Sequence, residues 1–243
     1  MIAARTPTIA ERWKYWGAGF AVEPCNEPAY LELLLIDTAI QLRREPRLLP
    51  MAVTWLTEHF DIVDLAELTS RAQELRGRDS AALGLLLETA QQFIGDPVLE
   101  NVLSACHPWE AHGPLYDFIA SRPALRRIAR ENASPVSRKW GLWVQPLQSL
   151  KRDAMRPESW IARHNPSFVL RTLLKGDVRS KVMAALGEDG LRDATETDLT
   201  RRAGCTRRAM HLALANLESA GLITQERRGR CYAINACDVR LLR

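Results

Sequence analysis

One stretch near the C-terminus, residues 196–223, limits the fold of this chain more than any other. Leu199 and Ala203 are four residues apart, which places them on one face of a short helix. Gly204 can adopt the positive φ that a sharp reversal requires. Thr206 can cap a second helix, because its hydroxyl accepts from a free amide of the first turn. A buried helical stripe is predicted after it: Met210, Ala213, Leu214 and Leu217.

Two short β-prone runs follow this second helix, which Gly221 closes as a C-terminal glycine. Residues 222–225 read Leu-Ile-Thr-Gln, and residues 231–234 read Cys-Tyr-Ala-Ile. The segment between them, residues 226–230, carries three arginines and a glycine. The pattern therefore predicts an antiparallel hairpin with a basic tip.

This order of elements resembles the winged helix-turn-helix of bacterial transcription regulators of the ArsR/MarR type. The resemblance covers roughly the last third of the chain. It implies binding to double-stranded DNA, and a homodimer, because such modules usually engage two half-sites about one helical turn apart. Some winged helices dock proteins instead, so DNA binding is a separate expectation. The matching residues are Leu199, Gly204, Met210, Leu214, Leu217, Gly221 and the arginine-rich hairpin.

Charge is distributed unevenly along the 243 residues. Residues 1–121 hold 9 Lys/Arg and 17 Asp/Glu, whereas residues 122–164 hold 10 and 3, and residues 165–243 hold 14 and 9. The positive excess thus lies entirely in the back half, where a polyanion would be expected to bind. A basic but merely solvated surface is the alternative.

The front half predicts an all-α bundle, because no convincing run of alternating strands precedes residue 165. An aromatic segment, with Trp13 and Trp16, comes first and should pack either on a neighbouring element or on a partner subunit. Asp61 is a candidate cap for the third helix. The apolar spacing predicts helices over residues 28–44, 48–60, 62–75, 80–94 and 98–105. The fold class is therefore mainly α: an N-terminal helical bundle followed by a C-terminal winged helix-turn-helix domain with a small β-hairpin.

Three domains follow from these patterns: an acidic helical domain at 1–121, a basic structured linker at 122–164, and the winged domain at 165–243. The linker should contain a helix over 123–131 with arginines on one face. Trp140 and Trp143 lie beside Arg138 and Lys139, where they could pack against a core or extend the basic surface toward nucleic acid.

The DNA contacts expected from the resemblance lie on both helices and on the hairpin. A helical wheel that buries Met210, Leu214 and Leu217 turns Arg208, His211, Leu212 and Ala215 outward, with Arg207 at the border. Leu212 and Ala215 stand where such regulators usually carry polar residues, so they either contact thymine methyl groups or pack on protein. The candidate DNA-binding residues are Thr200, Arg201, Arg202, Thr206, Arg207, Arg208, His211, Leu212, Arg227, Arg228 and Arg230.

Other chemistry has little support in the sequence. Cys106, His107, Glu110 and His112 could supply metal ligands, but a packed loop is the preferred interpretation, and we expect no metal and no cofactor. There is no phosphate-binding glycine loop, nucleophile elbow or dinucleotide fingerprint, so we expect no enzyme. Five cysteines without a Cys-x-x-Cys pair, and no apolar run long enough for a membrane span, favour a cytoplasmic protein.

The sequence thus predicts a DNA-binding transcriptional regulator. Its N-terminal helical domain would mediate dimerisation or sense an effector, either a small molecule or a protein. The alternative is a non-enzymatic assembly component that uses the winged helix as a docking surface.

Overall fold

The computed structural model describes residues 5–25, 29–174, 178–187, 193–228 and 231–237. The chain divides into two compact units, Met1–Pro157 and Glu158–Arg243. The protein is mainly helical, as predicted, and carries a small two-stranded antiparallel sheet near the C-terminus. No helix in the described ranges is long and apolar enough to cross a membrane.

Short helices and two very short strands build the first unit. Turns of 3₁₀ helix lie at Phe60–Ile62 and Arg152–Ala154. The other elements are α1 (Ile9–Tyr15), α2 (Leu31–Gln41), α3 (Leu48–His59), α4 (Leu65–Ala72), α5 (Gly77–Ile94), α6 (Glu100–Leu103), β1 (Gly113–Pro114), α7 (Asp117–Ala120), α8 (Pro123–Glu131), α9 (Pro135–Lys139) and β2 (Leu142–Trp143).

Three tryptophans form the centre of the core around α1, α2 and α3. Trp13, Trp16 and Trp55 are fully buried, and the Trp55 ring meets each of the other two edge-on at a centroid distance of 5.7 Å. Their indole N–H groups donate to Thr38 Oγ1, the Ala29 carbonyl and the Trp16 carbonyl, at 2.6–2.8 Å. Buried indoles need such partners. The predicted aromatic segment therefore packs within its own chain, and its residues Ile9–Tyr15 are helical.

Helix α4 begins later than predicted. The carboxylate of Asp64 accepts from the amides of Ala66 and Glu67, so Asp64 is the cap. Asp61, the predicted cap, lies inside the 3₁₀ turn that precedes it. The two aspartates lie three residues apart. Because the 3₁₀ turn after α3 includes Asp61, Asp64 is left to cap α4.

Residues 122–157 belong to the first unit rather than to a linker, and the second unit begins at Glu158 instead of at residue 165. The Trp140 ring packs against Gly84 of α5, where an added Cβ would lie 2.4 Å from the ring. The carboxylate of Glu88, one turn further along α5, accepts from Trp140 Nε1 at 2.7 Å and from Lys139 Nζ at 2.8 Å. Trp140 is thus an anchor on the helical core, the first of its two predicted roles.

Strands β1 and β2 pair in parallel, with Gly113 opposite Leu142 and Pro114 opposite Trp143. No strand was predicted before residue 165, and this prediction was wrong. Two residues are too few to show alternation, and the partner strand is distant in sequence. The guanidinium of Arg78 holds the connection between β1 and α7. It donates to the carbonyls of Pro114 and Leu115 and to the Asp117 carboxylate, at 2.7–3.0 Å.

The second unit contains five helices and the hairpin among its described residues. Apolar residues of its last three helices and of both hairpin strands share one core, which includes Val182, Leu199, Met210 and Ile234. Ala194 adds an isolated antiparallel bridge to Ile234. The elements are α10 (Glu158–His164), α11 (Pro166–Leu173), α12 (Val178–Gly187), α13 (Glu196–Ala203), α14 (Arg207–Ser219), β3 (Ile223–Arg228) and β4 (Cys231–Ala236).

The contact between Gly84 and Trp140 gives a stability prediction. Gly84→Ala would gain about 1 kcal/mol of intrinsic helix propensity. It should nevertheless destabilise the protein by roughly 1–2 kcal/mol, because the new methyl group overlaps a ring held in a packed core. Denaturant unfolding measures the net effect.

The matched control is the same substitution in a Trp140→Leu background. There the obstructing ring is absent, so Gly84→Ala should be neutral or stabilising. Equal destabilisation in both backgrounds would contradict the clash with Trp140.

Candidate nucleic-acid interface

Helix α13 begins with a reciprocal cap. Asp198 N donates to Thr195 Oγ1 at 3.2 Å, while the Asp198 carboxylate accepts from both the hydroxyl and the amide of Thr195. These hydrogen bonds hold the pKa of Asp198 below its ordinary value, the side-chain bond being the largest cause and Arg201 adding a smaller electrostatic contribution. The cap fixes where α13 starts and therefore how it enters the turn.

The turn between α13 and α14 has the predicted form. Gly204 has φ 60° and ψ 35°, a left-handed conformation that favours glycine, and its N–H donates to the Thr200 carbonyl. Thr206 is the cap of α14, with its hydroxyl accepting from Ala209 N at 3.2 Å. The helix that follows packs on the core shared with α12 and α13 through Met210, Leu214 and Leu217, and its Ala213 is also buried. All four belong to the stripe predicted from spacing.

The outward face of α14 is as the helical wheel predicted. Arg208, His211, Leu212 and Ala215 are exposed, with 64% of Leu212 accessible. Arg207, expected at the border, is also exposed. This face is therefore basic in its first turn, and beyond it carries His211 together with the apolar Leu212 and Ala215.

The two arginines at the start of α14 are electrostatically unusual. Residues 199–217 contain four arginines and no carboxylate. Neither Arg207 nor Arg208 forms an ion pair with the described part of the chain. Cations are disfavoured near a helix N-terminus, where the helix dipole and free amides present positive charge, by about 0.3–1 kcal/mol each. The fold gives these side chains no compensating partner.

The candidates on α13 are less available than those on α14. Thr200 is half-buried, and its hydroxyl donates to the Glu196 carbonyl at 2.7 Å. Arg201 is exposed but lies 2.9 Å from Asp198, and an exposed pair of this kind is weak enough to exchange partners. Arg202 is exposed.

The hairpin pairs Ile223 with Ala236 at its base and Arg228 with Cys231 near its tip. Arg227 is exposed and lies opposite Tyr232, which is 51% exposed. Sequence reasoning missed Tyr232 as a surface group, because strand alternation places it on the same face as Ile234, two residues further along, which is buried. Arg230 and the side chain of Arg228, both predicted to contact DNA, lie outside what the structure describes.

The predicted site residues are thus brought together in part. Helices α13 and α14, with the turn between them, carry the candidates Thr200, Arg201, Arg202, Thr206, Arg207, Arg208, His211 and Leu212, and the hairpin carries Arg227. Thr206 is occupied as a helix cap, yet its hydroxyl hydrogen is still available as a donor.

No metal-binding cluster of three or more His, Cys, Asp or Glu residues exists among the described residues. Cys106, the thiol of the rejected metal motif, is buried, and its Sγ lies 3.4 Å from the Val102 carbonyl. Burial raises the pKa of this thiol to about 12, so it stays protonated at neutral pH. Metal binding requires the thiolate.

Comparison with models of known protein families, with curated proteins and with solved structures found no match. The functional argument therefore depends on the geometry and charge of the chain itself.

The cap of α13 gives a prediction about pH. The folded-state pKa of Asp198 is lowered, so its stabilising effect is complete above the unfolded pKa, near 3.9, and is lost as pH falls through the folded value. The Tm difference between the wild type and Asp198→Asn should be largest near pH 7 and shrink below about pH 4. Calorimetric melts across this range measure it, and a difference that grows in acid would contradict the cap.

Proposed function

We propose that residues 158–243 form a winged helix-turn-helix that binds duplex DNA, and that the protein is a DNA-binding transcriptional regulator. Two observations support this fold assignment. The elements follow the order α12, Ala194 bridge, α13, α14 and hairpin, and they share a single core. The Ala194–Ile234 bridge adds a third short extended segment beside the hairpin, as expected of a small winged sheet.

The observation that carries the proposal is the pair Arg207 and Arg208. They lie exposed at the positive end of α14, without an ion pair in the described chain. A phosphate group placed there would be favoured by both guanidinium groups and by the free amides of the first turn. The fold leaves a local electrostatic cost in place, and a bound polyanion would remove it.

In this proposal α14 enters the major groove with its N-terminal half. Arg207 and Arg208 reach phosphates or guanine edges, and His211 lies one turn further along the same face. Arg227 of the hairpin reaches flanking phosphates. The helical first unit serves dimerisation or effector sensing, and the DNA-binding form is a homodimer.

Docking of a protein partner is the second candidate, and the exposed Leu212 favours it. A large apolar side chain at the centre of a helix face is typical of protein interfaces. In the DNA-binding proposal the same side chain packs against thymine methyl groups instead. The two candidates therefore assign different contacts to Leu212, a protein surface in one and thymine methyl groups in the other.

Salt dependence of binding to random duplex DNA separates the two candidates. Each phosphate contact contributes a slope of about −0.9 in a plot of log affinity against log salt. Replacing both Arg207 and Arg208 by Ala should reduce the magnitude of the slope by about two and weaken binding at low salt. Fluorescence anisotropy measures both quantities, and circular dichroism checks the fold.

Arg44→Ala is the matched control, because Arg44 is an exposed arginine of the first unit. Its slope should equal that of the wild type. An unchanged slope in the double variant would remove Arg207 and Arg208 from the interface, and absence of binding at low salt would favour protein docking.

Leu212 gives a test of whether the protein recognises a specific DNA sequence. Leu212→Gln should leave affinity for random DNA nearly unchanged and lower affinity for a selected site several-fold, because an apolar contact to thymine methyl groups is lost. Selection of bound genomic fragments supplies the site, and competition titrations compare the proteins. Equal losses on both DNAs would show that Leu212 acts through stability or positioning.

A further inference from the structure

Two adjacent cavities in the first unit share the side chain of Trp143. One has a volume of about 570 Å³ and is lined mostly by apolar groups. The other, about 650 Å³, is lined by polar and charged groups besides Trp143. Volumes of this size are typical of sites for small organic ligands. One cavity is apolar and its neighbour is basic.

Helix α8 lines both cavities, with an apolar face toward one and a basic face toward the other. Leu125, Ile128 and Ala129 line the apolar cavity, whereas Arg127 and Arg130 line the basic one. Residues three and four apart share a helix face, so the sequence of α8 itself produces this division. An amphipathic helix normally buries its apolar face in the core, but here that face borders an open groove.

The apolar groove leaves two large apolar side chains about half exposed to solvent. Phe118 is 48% exposed and Ile128 is 44% exposed. Phe118 stacks on Tyr116 with a centroid distance of 5.8 Å and an interplanar angle of 12°. Arg78 holds the segment that carries both rings, through its bonds to Pro114, Leu115 and Asp117. These bonds anchor the chain directly before Tyr116 and between the two rings.

The charges of the basic cavity are poorly neutralised. Three arginines, Arg127, Arg130 and Arg138, face a single carboxylate, that of Glu131. The Glu131 carboxylate lies 3.9 Å from Arg127 Nε, and both side chains are mostly exposed, so this pair contributes little. Arg138 is positioned by donating to the Glu131 carbonyl at 3.0 Å. The cavity retains a net positive charge.

Trp143 connects the cavities physically. The Arg130 guanidinium lies 5.9 Å from the Trp143 ring centroid, within the range of a cation–π contact. On the apolar side, burial raises the pKa of Tyr116 to about 12, so this phenol remains neutral at physiological pH. Lys151 at the rim of the groove adds another cation. A ligand that crosses Trp143 would pass from an apolar wall to a cluster of guanidinium groups.

We propose that the first unit binds a small amphiphilic anion. Its apolar body lies in the groove against Phe118 and Ile128, and its carboxylate or phosphate head binds Arg127 and Arg130 beside Trp143. Guanidinium groups suit both heads, because their paired N–H donors match two oxygens of one anion. The concave groove favours a single molecule over a membrane surface. This site lies wholly within the first unit and does not depend on the proposed DNA binding.

Calorimetric titration of the full chain with decanoate, decyl phosphate and decanol tests the proposal. One of the two anions should bind, and the tighter one identifies the head group. Decanol, which has the same chain length without charge, should bind about tenfold more weakly, as expected for loss of a charge-assisted hydrogen bond. Arg130→Gln should weaken binding of the anion about fivefold and leave decanol unchanged.

Arg126→Gln is the matched control, since Arg126 is exposed on the same helix but lines neither cavity. It should bind like the wild type. Ile128→Asp should weaken binding of all three probes, and its melting curve verifies that it folds.

Four results would overturn the proposal. They are no binding of any probe at millimolar concentration, equal binding of decanol and the anions, equal effects of Arg126→Gln and Arg130→Gln, and binding to anionic lipid vesicles without binding of the monomeric anions. Binding of decanoate without binding of DNA would refute the proposed DNA-binding function and leave the proposed ligand site standing.

Discussion

Burial of one stripe of α14 determines which side chains the C-terminal unit can offer to a partner. Met210, Leu214 and Leu217 lie in the core that α12, α13 and the hairpin share. Burying each such side chain is worth about 1.5–3 kcal/mol. A rotation of α14 that brought other residues outward would expose several of them, which a small unit could not tolerate. The exposed set that begins with Arg207 and Arg208 is therefore a consequence of packing.

Local signals in the sequence predicted this unit well. Gly204 and Thr206 determine the turn through their own backbone and side-chain preferences, and the α14 stripe follows from a 3.6-residue period. Helix α8 was also predicted with its observed bounds, because Pro123 starts it. What could not be predicted depends on residues distant in sequence. Neither the Ala194–Ile234 bridge nor the pairing of β1 with β2 has a local pattern. The start of α4 was missed for a local reason, because two aspartates three residues apart, Asp61 and Asp64, could each have served as its cap.

The predicted linker shows why composition misled. Residues 122–157 are rich in arginine and interrupted by prolines, and both features are typical of connectors. Whether such a segment packs depends on the surface it meets, here Gly84 and Glu88 of α5, which accommodate the Trp140 ring and its N–H. A glycine and a glutamate in a helix do not predict this contact, because neither residue type indicates a partner ring by itself. The exposed face of α14 was predictable because its position is set within one helix.

The basic residues of the two units differ in the shape of the surface that carries them, which argues against one common role. Arg207 and Arg208 project from the exposed start of a helix, without an ion pair in the described chain. Arg127 and Arg130 border a concavity whose other wall is apolar, with Trp143 between them and the groove. A convex cluster of charge can follow a phosphate backbone, whereas a concave one selects a ligand that fits. Net charge alone could not separate these cases, since both segments contribute to the same positive excess.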